Sequence, residues 1–161
     1  LIKEGRNYSI INNYPRARIP NGFRDLLFYK IIKTILGPHF FISIVFVSEP
    51  KIKALNKKYR GLNASTDVLA FKLDYGGEIF FSINDIRKKI GNWKFEIGNY
   101  LTYLFIHALL HLKGLTHSSK MEAQEKKFCK IFKIKHPFNE SKNNSRHRYR
   151  HTSSKSGRGS K

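Results

Sequence analysis

Three histidines fall within eleven residues of the segment HALLHLKGLTH, residues 107 to 117. At roughly 100° per residue, His107 and His111 lie only about 40° apart on a helical wheel, so both rings leave one side of a helix one turn apart. Gly114 suits a left-handed stop to that helix, after which the chain turns back and His117 approaches the same point from outside. Three neutral imidazoles converging on one spot make a site for one Zn²⁺ and keep a fourth position for water, whose pKa falls to about 7. His107 and His111 alone would also read as a hydrogen-bonded pair of core histidines; His117 at this spacing favours metal. A purely structural zinc usually takes four protein ligands, often thiolates, and the one cysteine, Cys129, lies outside the motif. The residue after His107 separates two chemistries. In an HExxH peptidase a glutamate there is the general base, whereas here it is Ala108. Metal-activated water without an adjacent carboxylate, in a basic protein, points to an anionic substrate such as a phosphodiester.

The helix that carries these histidines, from about Ile97 to Lys113, is apolar around nearly its whole circumference, with Leu101, Leu104, Phe105, Ile106, Ala108, Leu109, Leu110 and Leu112. Such a helix is buried by neighbours on most sides. Before it, NYSIIN (7 to 12) reads as an opening strand. GFRDLLFYKIIKTILG (22 to 37) reads as a helix, with Leu26, Leu27, Ile31 and Ile35 at helical spacing. FFISIVFVS (40 to 48) is a strand, followed by a short amphipathic helix with Ile52, Leu55 and Tyr59 that Glu49 and Pro50 open. DVLAFKL (67 to 73) and GEIFFSI (77 to 83) pair as a hairpin whose intervening DYGG supplies the turn glycines. NDIRKKIG is a short helix, a loop surrounds Trp93, and a last helix runs from Ser119 to Lys133 with Ser119 and Glu122 as its capping box.

The 161 residues fit one domain, with an apolar fraction of 40% and an aromatic content of 14% sufficient for one core. Thirty-one Lys and Arg against eleven Asp and Glu give a net charge of +20, which attracts polyanions and disfavours a non-nucleic substrate. From Pro137 aliphatic residues almost vanish, and the chain divides at 1–136 and 137–161, the latter a basic tail too polar for a core. Residues 1 to 138 hold 24 of the basic and 10 of the acidic residues, so the domain is +14 without the tail. In RHRYRH, Arg146, Arg148 and Arg150 offer phosphate pairing and Tyr149 offers stacking, and a solvated tail without a specific task is the alternative. One cysteine, no signal-peptide pattern at LIKEGRNYSI and no apolar run of spanning length predict a soluble cytoplasmic protein with no membrane partner.

The chain resembles the YbeY family of endoribonucleases and rRNA maturation factors. LNKKYRGLNASTDVLAF (55 to 71) is similar to the family's LNxxYRxxDxxTDVLSF, GEIFFS (77 to 82) to its GDIxIS, and HALLHLKGLTH to its HGxLHLxGYDH. MEAQE (121 to 125) is similar to the segment after the third histidine. The resemblance covers about 40 to 133 and implies an α+β fold, a small mixed β-sheet packed with helices, with the zinc site at the end of a buried central helix. It implies zinc on His107, His111 and His117, a catalytic arginine at Arg60 beside the scissile phosphate, and action on ribosomal RNA and the small ribosomal subunit in the cytoplasm. The specific role it implies is 16S rRNA 3′-end processing and ribosome quality control. The nucleophile is open between water and a ribose 2′-hydroxyl, and the rival reading is a non-catalytic ribosome-assembly factor with a structural zinc.

Around these blocks, Lys57 and Lys58 extend a phosphate-binding surface or are solvated helix lysines. Asp67 is an outer-shell acceptor near the metal or a strand-entry residue bonded to backbone donors. Ser82 faces the cleft or merely closes its strand. Three departures stand out. Ala108 replaces a glycine, Asn63 stands where aspartate is common, and Thr116 replaces the aspartate before the third histidine, a carboxylate that would orient a ligand or catalyse.

Overall fold

A computed structural model describes residues 2–16, 19, 25–91 and 96–137. Two strands open the chain, β1 (Ile2–Glu4) and β2 (Tyr8–Asn12), followed by helix α1 (Asp25–Leu36) and strand β3 (Phe41–Val47). Helix α2 (Glu49–Arg60) leads to the hairpin β4 (Val68–Leu73) and β5 (Gly76–Ser82), and α3 (Ile83–Ile90), α4 (Ile97–Leu112) and α5 (Ser119–Phe132) complete the described chain. The sheet order is β1-β2-β3-β5-β4, with the inner pairs β2/β3 and β3/β5 parallel and the outer pairs antiparallel. This is the α+β architecture, a small mixed sheet packed with helices, that the family resemblance implies.

β3 shows why a continuous apolar run belongs at the centre of a sheet. Ile42, Ile44 and Phe46 enter the main core with residues of α1 and α4, while Val45 and Val47 point to the other face, where Ile52 of α2 and Leu69 cover them. Alternate residues of one strand thus serve two apolar layers. α4 packs against α1, α3, α5, β4 and β5 and buries twelve of its sixteen residues. The Trp93 loop, residues 22–24 of the expected first helix and the segment from 138 onward lie outside the described residues.

Three local expectations are corrected. β1 was not expected; three residues show no periodicity, and it forms by pairing Ile2 with Ile11 across a short turn. Helix α5 is capped by Ser118, whose extended backbone lets its hydroxyl accept from the Met121 N–H at 3.3 Å, so Ser119 is the first helical residue. The β4–β5 turn is Asp74–Tyr75, and both glycines of DYGG are strand residues. Their reason is close approach. A Cβ on Gly76 would overlap the Phe41 carbonyl oxygen, and one on Gly77 would lie 2.6 Å from Leu112 Cδ1. Leu112 can shift, but the Phe41 carbonyl belongs to the pairing strand. Gly76→Ala is therefore expected to cost about 1–3 kcal/mol, read as a Tm lowered by roughly 2–4 °C per kcal/mol; an unchanged Tm would contradict the overlap.

Candidate metal centre

α4 ends in a turn that builds half of the site. Gly114 adopts φ 99°, its N–H bonds to the His111 carbonyl at 2.9 Å, and the Leu115 N–H bonds to the Leu110 carbonyl at 3.0 Å. This pair of bonds is the Schellman motif, and glycine has no Cβ to oppose the left-handed geometry. The reversal delivers His117 onto the face of α4 from which His107 and His111 project. The three Nε2 atoms lie 3.1 Å (107–111), 3.1 Å (111–117) and 3.4 Å (107–117) apart.

What holds the rings defines their chemistry. His107 Nδ1 meets Glu125 Oε1 at 2.5 Å, and His111 Nδ1 meets the Leu115 carbonyl at 2.9 Å. A carbonyl only accepts, so His111 donates from Nδ1 and its Nε2 carries a lone pair; the carboxylate imposes the same tautomer on His107. Lone pairs facing each other at this range cannot bond to one another, whereas a cation between them satisfies all of them. The spacing fits one, because tetrahedral ligation at 2.0–2.1 Å separates nitrogens by about 3.3–3.4 Å. The three histidines thus form a group able to hold a metal ion. Burial, with the neighbouring His107, His117 and Arg60, lowers the His111 pKa to about 4 against the backbone bond that raises it, so its ring is neutral and ready to ligate at pH 7.

Glu125 is the functional residue that the sequence reading missed. It lies on α5 at 6% exposure, and burial alone would raise its pKa. The hydrogen bond from His107 and the nearby His136 outweigh that and bring it down to about 2, so it is a carboxylate at any working pH. Tyr103 OH, 3.4 Å from Oε2, and His136, 3.6 Å from it, complete its surroundings. A signal was present: Met121, Glu125, Phe128 and Cys129 form the inward stripe of α5, and a carboxylate on an apolar stripe needs a buried partner. The orienting carboxylate expected at Thr116 is thus supplied from another helix. Thr116 itself is exposed, and its carbonyl accepts from the Ser118 hydroxyl at 3.0 Å. Glu125→Gln is expected to weaken zinc affinity about 10–100-fold, measured by competition with a chelating dye; an unchanged affinity would remove Glu125 from the site. The Cys129 thiol beside it, pushed up to about 12 by burial and by the Glu125 charge, is inert packing.

The histidines open into a cleft of about 370 Å³ that the end of α2 and the segment after it also line. Gly61, at φ 70°, stops α2 directly after Arg60, and Asn56 Nδ2 holds the following loop through the Ala64 carbonyl at 2.8 Å. Arg60 is exposed and lines the cleft together with the three histidines; partial burial lowers its pKa. Ala108 lines it too, so its methyl fits. Asp67 lies in the cleft at 7% exposure, bonded to Lys89 Nζ at 2.7 Å, Tyr100 OH at 3.1 Å and Thr66 Oγ1 at 3.4 Å. Among the described residues the partners of its carboxylate are side chains, neither the histidines nor backbone donors. Ser82 is fully buried and caps α3, bonded to Asp85, away from the cleft lining. Lys57 and Lys58 are exposed on the last turn of α2 and outside the lining, Lys58 lying 5.0 Å from the Tyr59 ring centroid. Arg146, Arg148 and Arg150 lie outside the described residues.

A family model described as Endoribonuclease YbeY matches residues 10–133. The chain belongs to the YbeY family. It is 29% identical over 139 residues to the Endoribonuclease YbeY of Limosilactobacillus reuteri, a match spanning 71% of this chain and 86% of that one. To the YbeY of Aliarcobacter butzleri it is 31% identical over 103 residues, 58% of this chain and 74% of the relative. The match to the YbeY of Pelotomaculum thermopropionicum, 31% identical, spans 50% of this chain and 61% of that one. Among solved structures, the solution structure of TM1509 from Thermotoga maritima superposes with a TM-score of 0.58 at 26% identity, covering 78% of this chain and 88% of that one. The YbeY family is one of endoribonucleases, hydrolases that act on RNA. Among the described residues no helix is long and apolar enough to cross a membrane.

Proposed function

We propose that this chain is a zinc-dependent, single-strand endoribonuclease of ribosomal RNA maturation in the cytoplasm, acting at the 16S 3′ end and in ribosome quality control. The observation that carries the reading is the convergence of three Nε2 atoms within 3.4 Å of one another, in an open cleft that Arg60 also lines. Zinc, held by His107, His111 and His117, would supply Lewis acidity and an acidified water there. The chain's own residues do the rest. Glu125 and the Leu115 carbonyl hold two rings in the ligating tautomer, which removes the cost of selecting it when metal binds. Arg60 presents a guanidinium to the phosphate, where paired N–H donors offset charge that grows toward the transition state. No carboxylate follows His107, so the site lacks the general base of an HExxH peptidase.

Residues 1–136 form the catalytic domain in this reading, and 137–161 a basic extension in which Arg146, Arg148 and Arg150, with Lys57 and Lys58 of α2, add phosphate contacts away from the scissile bond. The test is cleavage of single-stranded rRNA fragments by zinc-loaded protein, by protein stripped with chelator and by protein reloaded with zinc. Cleavage is expected to vanish on stripping and return on reloading. Cleavage that ignores zinc defeats the proposal, and tight salt-sensitive binding without cleavage would establish the assembly-factor reading instead.

A further inference from the structure

A second cavity, of about 390 Å³, lies at the β4–β5 turn. One side is the segment after α1, with Pro38, His39 and Phe40; the other is the hairpin end, with Lys72, Leu73 and Tyr75, and Asp74 also lines it. Tyr75 is 94% exposed and Leu73 52% exposed. A two-residue hairpin turn favours glycine, asparagine or aspartate, so an aromatic ring at its tip serves neither the turn nor the core. β4 connects this cavity to the metal cleft. Val68 and Ala70 line the cleft and Lys72 lines the second cavity. By the period of a strand the three share one face, and Ala70 and Lys72 are only about 7 Å apart. Among the described residues β4 is also an edge strand of the sheet, so no described strand engages one side of its backbone.

We propose that this cavity is a nucleobase subsite: a single RNA strand whose scissile phosphate sits at the histidines follows the β4 edge, sets a phosphate against Lys72 and stacks a base on Tyr75. The inference rests on the reading of the cleft as an RNA site and adds a second contact to it. RNA fits the chemistry better than an apolar partner, because a cation and an exposed ring at the end of a basic cleft match a charged backbone and a π face. Stacking on one aromatic is tolerant of sequence, so the subsite sets register and minimum substrate length rather than base identity.

The experiment uses the full zinc-loaded chain with two fluorescent oligouridylates, a dinucleotide that reaches only the cleft and a 12-mer that reaches both cavities. Affinity is read by anisotropy, cleavage by product length, and position by photo-cross-linking of a 12-mer carrying 5-iodouridine. Tyr75→Ala is expected to weaken 12-mer binding about tenfold, leaving the dinucleotide unchanged; Tyr75→Phe retains the affinity, and the cross-link maps to residues 72–76. Equal 12-mer affinity for wild type and Tyr75→Ala, or cross-links confined to the histidine cleft, overturns the subsite. Because binding and cross-linking need no turnover, a protein that binds but does not cut fails the nuclease reading while still deciding the subsite. Failure to bind either oligonucleotide overturns both.

Discussion

His111→Ala is expected to yield a folded protein without zinc and without measurable RNA cleavage. His111 is the centre of the histidine triad, its Nε2 lying 3.1 Å from both other Nε2 atoms, while the remaining two are 3.4 Å apart. Two imidazoles leave half of a tetrahedral shell to water, and affinity should fall on the order of 10³-fold, beyond the 10–100-fold that losing an outer partner costs. The fold should survive. His111 is only half-buried, its methylene is replaced by a methyl, and the Schellman bonds of Gly114 and Leu115 are made by backbone alone. Zinc content by elemental analysis, far-UV circular dichroism and cleavage of a single-stranded rRNA fragment check the three parts together. A variant that keeps one zinc per chain at wild-type affinity would show that the metal is held elsewhere.

The second large effect is at Arg60, and it separates catalysis from metal binding. Arg60→Ala is expected to lower kcat about 10²–10³-fold while zinc content and Tm stay at wild-type values. The reason lies in position. Arg60 is exposed at the end of α2, held by the Gly61 stop, and makes no hydrogen bond to a histidine or to Glu125 that the fold depends on. Removing it takes one positive charge away from His111 without disturbing the tautomers set by Glu125 and Leu115. Arg60→Lys should recover only part of the rate, since an ammonium keeps the charge but lacks the planar pair of donors. Wild-type kcat in Arg60→Ala would leave the cleft without its electrostatic partner and favour a binding role.

Much of this arrangement was legible in the chain because it is local. The period of 3.6 aligns His107 with His111, Gly114 marks the helix stop, and the element order through β3, α2, β4 and β5 follows from changes of apolar period. Other features resisted for a physical reason. The DYGG glycines look like turn residues, yet Gly76 and Gly77 are small because Phe41 and Leu112, distant in sequence, press on them. Ser118 and Ser119 compete for one cap, and only the backbone dihedrals select Ser118.

The sequence by itself determined the histidine triad, the succession of strands and helices through β3, α2, β4 and β5, the basic composition and the absence of a peptidase base at Ala108. These depend on residue type and on spacing along one element. Tertiary structure alone decided that Glu125, eighteen residues from His107, bonds to that ring, and that Arg60 lines the same cleft as the three histidines. It decided equally that Asp67 is bound to Lys89 and Tyr100 rather than to the metal site. A hydrogen bond is lost within an ångström of its optimum, and such distances between helices are set by how α4, α5 and the sheet pack, which no local pattern encodes.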